Sequence, residues 1–161
     1  MSALGDDVVL DREKGELRIL GTRYAALKAQ SFCNNLDRLV GTKVASVIMN
    51  NLEVQLGKED VERILETSPK ATFDDVTKTL VATDLVTGMG VTKVMVEKET
   101  DSIFVETTNP CVRRVQGASK AFLFSWWAGA FSRLLGKSLE VREVNYDEER
   151  NFIKARIAPR G

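Results

Sequence analysis

Residues 111–137 read CVRRVQGASKAFLFSWWAGAFSRLLGK, and the fold turns on how this stretch is read. Between Lys120 and Arg133 it carries no charge, yet it holds Phe122, Phe124, Trp126, Trp127 and Phe131. Small residues (Ala118, Ser119, Ala121, Ser125, Ala128, Gly129, Ala130, Ser132) are threaded among the large ones. A helix that is apolar around most of its circumference belongs in an interior. The uncharged run falls short of the roughly 20 residues that span a bilayer, so it predicts a core helix of a soluble domain. Gly136 supplies its stop and Lys137 follows.

The rest of the composition limits what such a core can serve. The 161 residues suit one domain with a substantial interior. Lys plus Arg total 23, as do Asp plus Glu, so the basic excess expected of a general nucleic-acid binder is missing. There is no His, which excludes Ser-His-Asp and Cys-His nucleophile pairs, a histidine base and imidazole metal ligands. No acidic cluster stands out in an apolar setting that would shift its pKa, so acid–base chemistry is not expected either. Cys33 and Cys111 are too few and too far apart for a disulfide framework or a zinc cluster. The acidic, polar start MSALGDDVVLDREKGE is unlike a signal peptide, and a reducing cytoplasm is the expected location.

Outward from the core helix, the preceding half reads mainly as helices. Residues 1–15 form a polar segment, with Val8-Val9-Leu10 a short edge-strand candidate, and Glu16 to Leu20 alternate as a brief strand. Thr22 is positioned to cap a helix carrying Tyr24, Leu27, Phe32, Leu36, Leu39 and Val40, stopped by Gly41. A second helix is expected from Thr42 to near Gly57, with Val44, Val47, Ile48 and Leu52 at helical period. A further turn or two follows with Val61, Ile64 and Leu65, ended by Pro69. Thr72-Phe73-Asp74-Asp75 resembles a capping box with Asp in the Glu position, opening a helix that ends at Gly88-Met89-Gly90. Gly88-x-Gly90-x-x-Lys93 imitates a phosphate loop but follows a helix and opens a strand, so it reads as a helix end.

Two hairpins complete the pattern. Val91–Lys98 and Ser102–Thr108 flank Glu99-Thr100-Asp101, and Leu139–Tyr146 and Asn151–Ile157 flank Asp147-Glu148-Glu149-Arg150. Their period-two alternation predicts one packed and one solvated sheet face, with opposite charges paired on the wet side. The expected fold is therefore a single α+β domain: N-terminal helices and a central apolar helix packed on a twisted antiparallel sheet of about four strands.

This order of landmarks resembles the 4-vinyl reductase (hydrocarbon-binding) domain family, which is related in fold to subunits of the TRAPP vesicle-tethering complex. The carriers are Gly15-Glu16-Leu17-Arg18-Ile19, the strand pair closing in Thr108-Asn109-Pro110-Cys111, Gly117 with the small-residue helix, Gly136-Lys137, and Val141-Arg142-Glu143 ahead of a last hairpin. The resemblance covers residues 16–158 and implies an α+β ligand-binding module that often pairs as a dimer and sometimes serves as the sensing part of a transcription regulator. Many members place cysteines after the Glu of the penultimate strand and in the last strand. This chain has none beyond Cys111, so no metal or other cofactor is expected. TRAPP subunits can hold an acyl chain on a cysteine between early helices, and the matching interval, residues 58–72, has no Cys.

The reading that follows is a non-catalytic module holding an apolar, lipid-like or aromatic ligand beside the 117–136 helix and acting as a homodimer. Phe122, Trp126 and Phe131, at i, i+4 and i+9, together with Cys111, are the candidate ligand contacts. No catalytic residue is assigned. The alternative is an assembly subunit of a TRAPP-like complex without a ligand, its contact made by Val44, Val47, Ile48 and Leu52. The 15 residues ahead of the domain are too few for a helix-turn-helix, so nucleic acid is not an expected partner of the chain on its own.

Overall fold

A computed structural model describes residues 8–11, 16–19, 22–24, 28–97, 99–112 and 117–160. The chain runs β1 (Val8–Asp11), β2 (Glu16–Ile19), β3 (Thr22–Tyr24), α1 (Ala29–Val40), α2 (Thr42–Thr67), α3 (Phe73–Thr87), β4 (Val91–Glu97) and β5 (Ser102–Thr108). It closes with α4 (Ala118–Leu135), β6 (Leu139–Asp147) and β7 (Phe152–Pro159). This is the expected α+β class: the described residues form four helices and a four-stranded antiparallel sheet in the order β4-β5-β7-β6. A separate three-stranded sheet, β1-β2-β3, lies at the N-terminal end.

Two expectations for the first half are corrected. Residues 22–24 form no helical turn; they pair antiparallel with β2, Leu17 opposite Tyr24 and Ile19 opposite Thr22, and the helix starts at Ala29. β2 ends at Ile19 and β3 begins at Thr22, an interval short enough for a hairpin, and strand pairing outcompetes a cap at Thr22. Leu27, expected on that helix, lies outside the described residues. The second correction is at Gly57, where α2 continues unbroken to Thr67. That glycine does not end a helix; it admits a neighbour.

The neighbour is α4. A Cβ on Gly57 would stand 2.0 Å from the Trp126 carbonyl oxygen, and one on Gly129 would stand 2.1 Å from that of Val54. The two helices therefore meet backbone against backbone, and their large residues are displaced to the flanks of the crossing. On the flank toward the sheet, Phe124, Trp127 and Phe131 join Ile103, Val105, Ile153, Ala155 and Ile157 in the main core. On the flank toward α1, Ala118 and Ala121 meet Cys33, Ala45 and Met49 in a smaller cluster.

Local signals set the ends of these elements. The Thr72 hydroxyl accepts from the Asp75 N–H at 3.3 Å while the Asp75 carboxylate accepts from the Thr72 N–H at 3.0 Å, so the capping box is complete. Gly88 closes α3 in the left-handed conformation (φ 76°), which confirms the glycine pair as a helix end. The first turn of α4 lacks a cap of its own, and Asp37 of α1 accepts from the Ala118 N–H at 3.1 Å instead. On the wet face of the sheet the opposed residues Glu106 and Lys154 pair at 3.0 Å, as the alternation predicts.

Candidate ligand site

Consecutive residues on a helix point about 100° apart. Trp126 and Trp127 therefore leave α4 in different directions, their rings edge to face with centroids 5.1 Å apart. Each indole N–H finds a carboxylate. Trp127 donates to Asp84 of α3 at 3.1 Å, and Trp126 donates to Asp60 of α2 at 2.9 Å. Buried indoles need such acceptors, and buried carboxylates need such donors.

Asp84 is the more enclosed of the two acids. The Thr92 hydroxyl of β4 donates to the same oxygen at 2.7 Å and lies 3.2 Å from the Thr107 hydroxyl of β5. One carboxylate thus ties together α3, α4 and the sheet. Burial pushes its pKa up to about 6, against the opposing pull of the Thr92 and Trp127 hydrogen bonds. Burial also raises Asp60, with the Trp126 hydrogen bond and the Arg63 cation pulling the other way and Glu59 adding to the rise. Glu53, two turns before Asp60 on the buried side of α2, is pushed up to about 7 by burial and then by Asp60. From sequence no acidic cluster stands out in an apolar setting that would shift its pKa, and these three acids, each raised chiefly by burial, are passed over.

The signal for them was present in the helical periods. Val76 and Leu80 precede Asp84 at intervals of four, and Met49, Glu53, Gly57, Val61 and Ile64 form the buried stripe of α2. An acid falling on an apolar stripe is a buried acid in the folded chain.

Between α2, α3 and α4, beneath Ile19 of β2, lies a narrow cleft of about 10 Å³. Its apolar walls are Ile19, Ile64 and Leu80, with the Trp126 ring; Asp60, Arg63 and Thr83 are its polar groups. Arg63 stands 3.4 Å from Asp60, so the cleft holds an acid, a base and an indole N–H within one small volume. As it stands the space is close to that of a single water.

Of the four residues singled out from sequence, only Trp126 lines this cleft. Phe131 is fully buried between Trp127 (5.4 Å) and Phe73 (5.8 Å) in an aromatic stack behind it. Phe122 is half-buried at the seam between the two core clusters. Cys111 is half-buried, its Sγ 3.7 Å from the Met89 sulfur, and burial pushes its thiol up to about 11, where it is a poor nucleophile.

The architecture so defined is an antiparallel sheet of four strands covered by helices. No family model and no curated protein sequence matches the chain. Among solved structures it is similar to the crystal structure of the phenol-responsive sensory domain of the transcription activator PoxR with phenol. The TM-score is 0.74 at 14% identity, over 99% of this chain and 92% of that one. At that identity the likeness establishes the fold.

Proposed function

We propose that this chain is a non-catalytic small-molecule-binding module of the 4-vinyl reductase type, taking in residues 16–158 and working in the cytoplasm as a homodimer. Its ligand is apolar, lipid-like or aromatic, with one polar group. The observation that carries this reading is the cleft beside Trp126, where mostly apolar walls surround the Asp60–Arg63 pair and an indole N–H. Apolar enclosure with a few convergent polar groups is the common form of a small-molecule site. The likeness to a sensory domain solved with phenol supports it.

The cleft is nearly closed, so a ligand enters by widening it. The wall that yields is Ile19 with α3, because α2 and α4 are locked at Gly57 and Gly129. In this reading Phe122, Phe131 and Cys111 join the ligand's contacts once the cleft has widened, Phe131 through its stack on Trp127.

Native mass spectrometry of freshly purified protein, followed by titration with fatty acids and simple phenols under tryptophan fluorescence, tests the reading. A co-purified adduct or a saturable change in emission is expected. Unchanged emission up to millimolar concentrations, with no adduct, would refute it.

A second observation favours an assembly role for α2. Val44, Val47, Ile48 and Leu52 are 45–61% exposed and form one apolar stripe. An apolar stripe of this length on a surface marks a contact, here between two copies of the chain. Light scattering decides this part: a strict monomer at all concentrations removes the dimer, and a dimer that survives without any ligand favours the assembly alternative.

A further inference from the structure

The four-stranded sheet has two edges, and they are treated differently. An open edge presents unpaired backbone donors and acceptors to any passing strand, and proteins blunt it with charges, bulges or cover. The β6 edge carries all the usual protection. Its pairing with β7 is broken by a register shift between Val141 and Glu143, Glu140 is paired with Arg142 and Arg160, and Glu143 with Arg156.

The β4 edge carries little of it. β4 runs Val-Thr-Lys-Val-Met-Val-Glu, pairs with β5 in unbroken register, and no described residue pairs its outer side. Val91 is 57% exposed and Val96 49% exposed. Alongside it, α3 forms the wall of an open groove of about 430 Å³, lined by Thr77, Val81, Ala82 and Leu85. The Thr77 hydroxyl is buried there without a partner. The charged residues that line the groove are Lys78 and Lys93, both exposed; Asp75 lies near Lys78, and Glu106, opposite Lys93 across the ladder, is already paired with Lys154.

We propose that the β4 edge and the α3 groove form a docking site for an extended acidic segment of a partner protein, which adds to the sheet as a fifth strand. Backbone pairing along β4 supplies the affinity, and alternate side chains supply the selectivity. Apolar residues of the segment enter against Val81 and Leu85, and Asp or Glu residues answer Lys78 and Lys93. The lysines also count against a second copy of the chain, because two β4 strands paired antiparallel about Val94 would set Lys93 opposite Met95 and leave the two Lys93 side chains as diagonal neighbours on one face. This site is separate from the cleft at Trp126 and does not depend on it.

The test uses the whole chain and two synthetic peptide sets, each peptide seven residues long to match β4. One set alternates Val or Ile with Glu or Asp; the other replaces the acids with Lys. Calorimetry should find members of the acidic set binding with Kd below about 1 mM, and the basic set failing. Heteronuclear NMR should confine the shifts to residues 77–97, with slowed amide exchange along β4. Lys78→Glu with Lys93→Glu, which alters only exposed side chains, should reverse the preference, with acidic peptides weakened about tenfold or more. Lys78→Gln with Lys93→Gln should fall between. Absence of binding by any acidic peptide, equal binding of both sets, shifts elsewhere on the surface, or self-association through β4 would each overturn the proposal.

Discussion

Replacing Gly129 by Ala adds one methyl group where α4 touches α2. The new Cβ would lie 2.1 Å from the Val54 carbonyl oxygen and 2.7 Å from its C and Cα, all of them backbone atoms that cannot rotate away. Ordinary contact starts near 3.4 Å, so the helices must separate by about 1.3 Å along that line. Overpacking of this kind costs about 1–3 kcal/mol, and the rigid obstacle places Gly129 at or above the top of that range. The better helix propensity of Ala returns about 1 kcal/mol. The net loss is about 2 kcal/mol or more. For 161 residues the entropy of unfolding is about 340 cal/mol/K, so the melting temperature should drop by about 6 °C. Scanning calorimetry and urea titration at fixed m-value measure it. Gly57→Ala strikes the same crossing from the other side, 2.0 Å from the Trp126 oxygen, and should cost a similar amount. Because one separation relieves both clashes, the double variant should lose less than the two single losses combined. A Gly129→Ala protein that melts at or above the parent temperature, or strict additivity of the pair, would refute the backbone-on-backbone account.

The remaining expectations concern the buried acids and one helix end. Asp84 and Glu53 have pKa values raised to about 6 and about 7, so between pH 4 and 7 the folded chain binds more protons than the unfolded one. Their contribution to stability is therefore largest at low pH and is lost as pH rises through those values; urea midpoints should be higher at pH 5 than at pH 7.5, and Asp84→Asn should flatten the difference. Trp127→Phe removes a donor from the Asp84 carboxylate and should cost about 1–3 kcal/mol, more at pH 8, where the acid is ionised, than at pH 5. An equal loss at both pH values would separate the effect from that hydrogen bond. Thr72→Ala breaks the capping box of α3 and should cost about 1 kcal/mol, read as a lowered urea midpoint with unchanged spectra of the folded state.

Much of this architecture could be read from residue pattern because the physics involved is local. The charge-free run of α4, the Thr72 box, the Gly88 stop and the two hairpins are each decided by a handful of neighbouring residues. What escaped depended on partners distant in sequence. Gly57 looked like a terminator because a glycine at a close crossing and a glycine at a helix end are the same letter, and only α4 distinguishes them. Thr22 looked like a cap because its strand partner, Ile19, competes through pairing rather than composition. Trp126 was singled out for its helical spacing from Phe122 and Phe131, whereas its hydrogen bond in the cleft is to Asp60, sixty-six positions earlier. Asp84 was passed over because a solitary acid among Val and Leu is conspicuous only when the helical period is followed through it.

The unbroken course of α2 has a mechanical side. At 26 residues it is a rod about 39 Å long, with the Val44–Leu52 stripe toward one end and the Asp60–Arg63 pair toward the other. The crossing with α4, between Val54 and Gly57, sits near the middle. The apolar stripe and the acid–cation pair are thus the two arms of one unbroken strut, pinned at its centre and with no hinge between them.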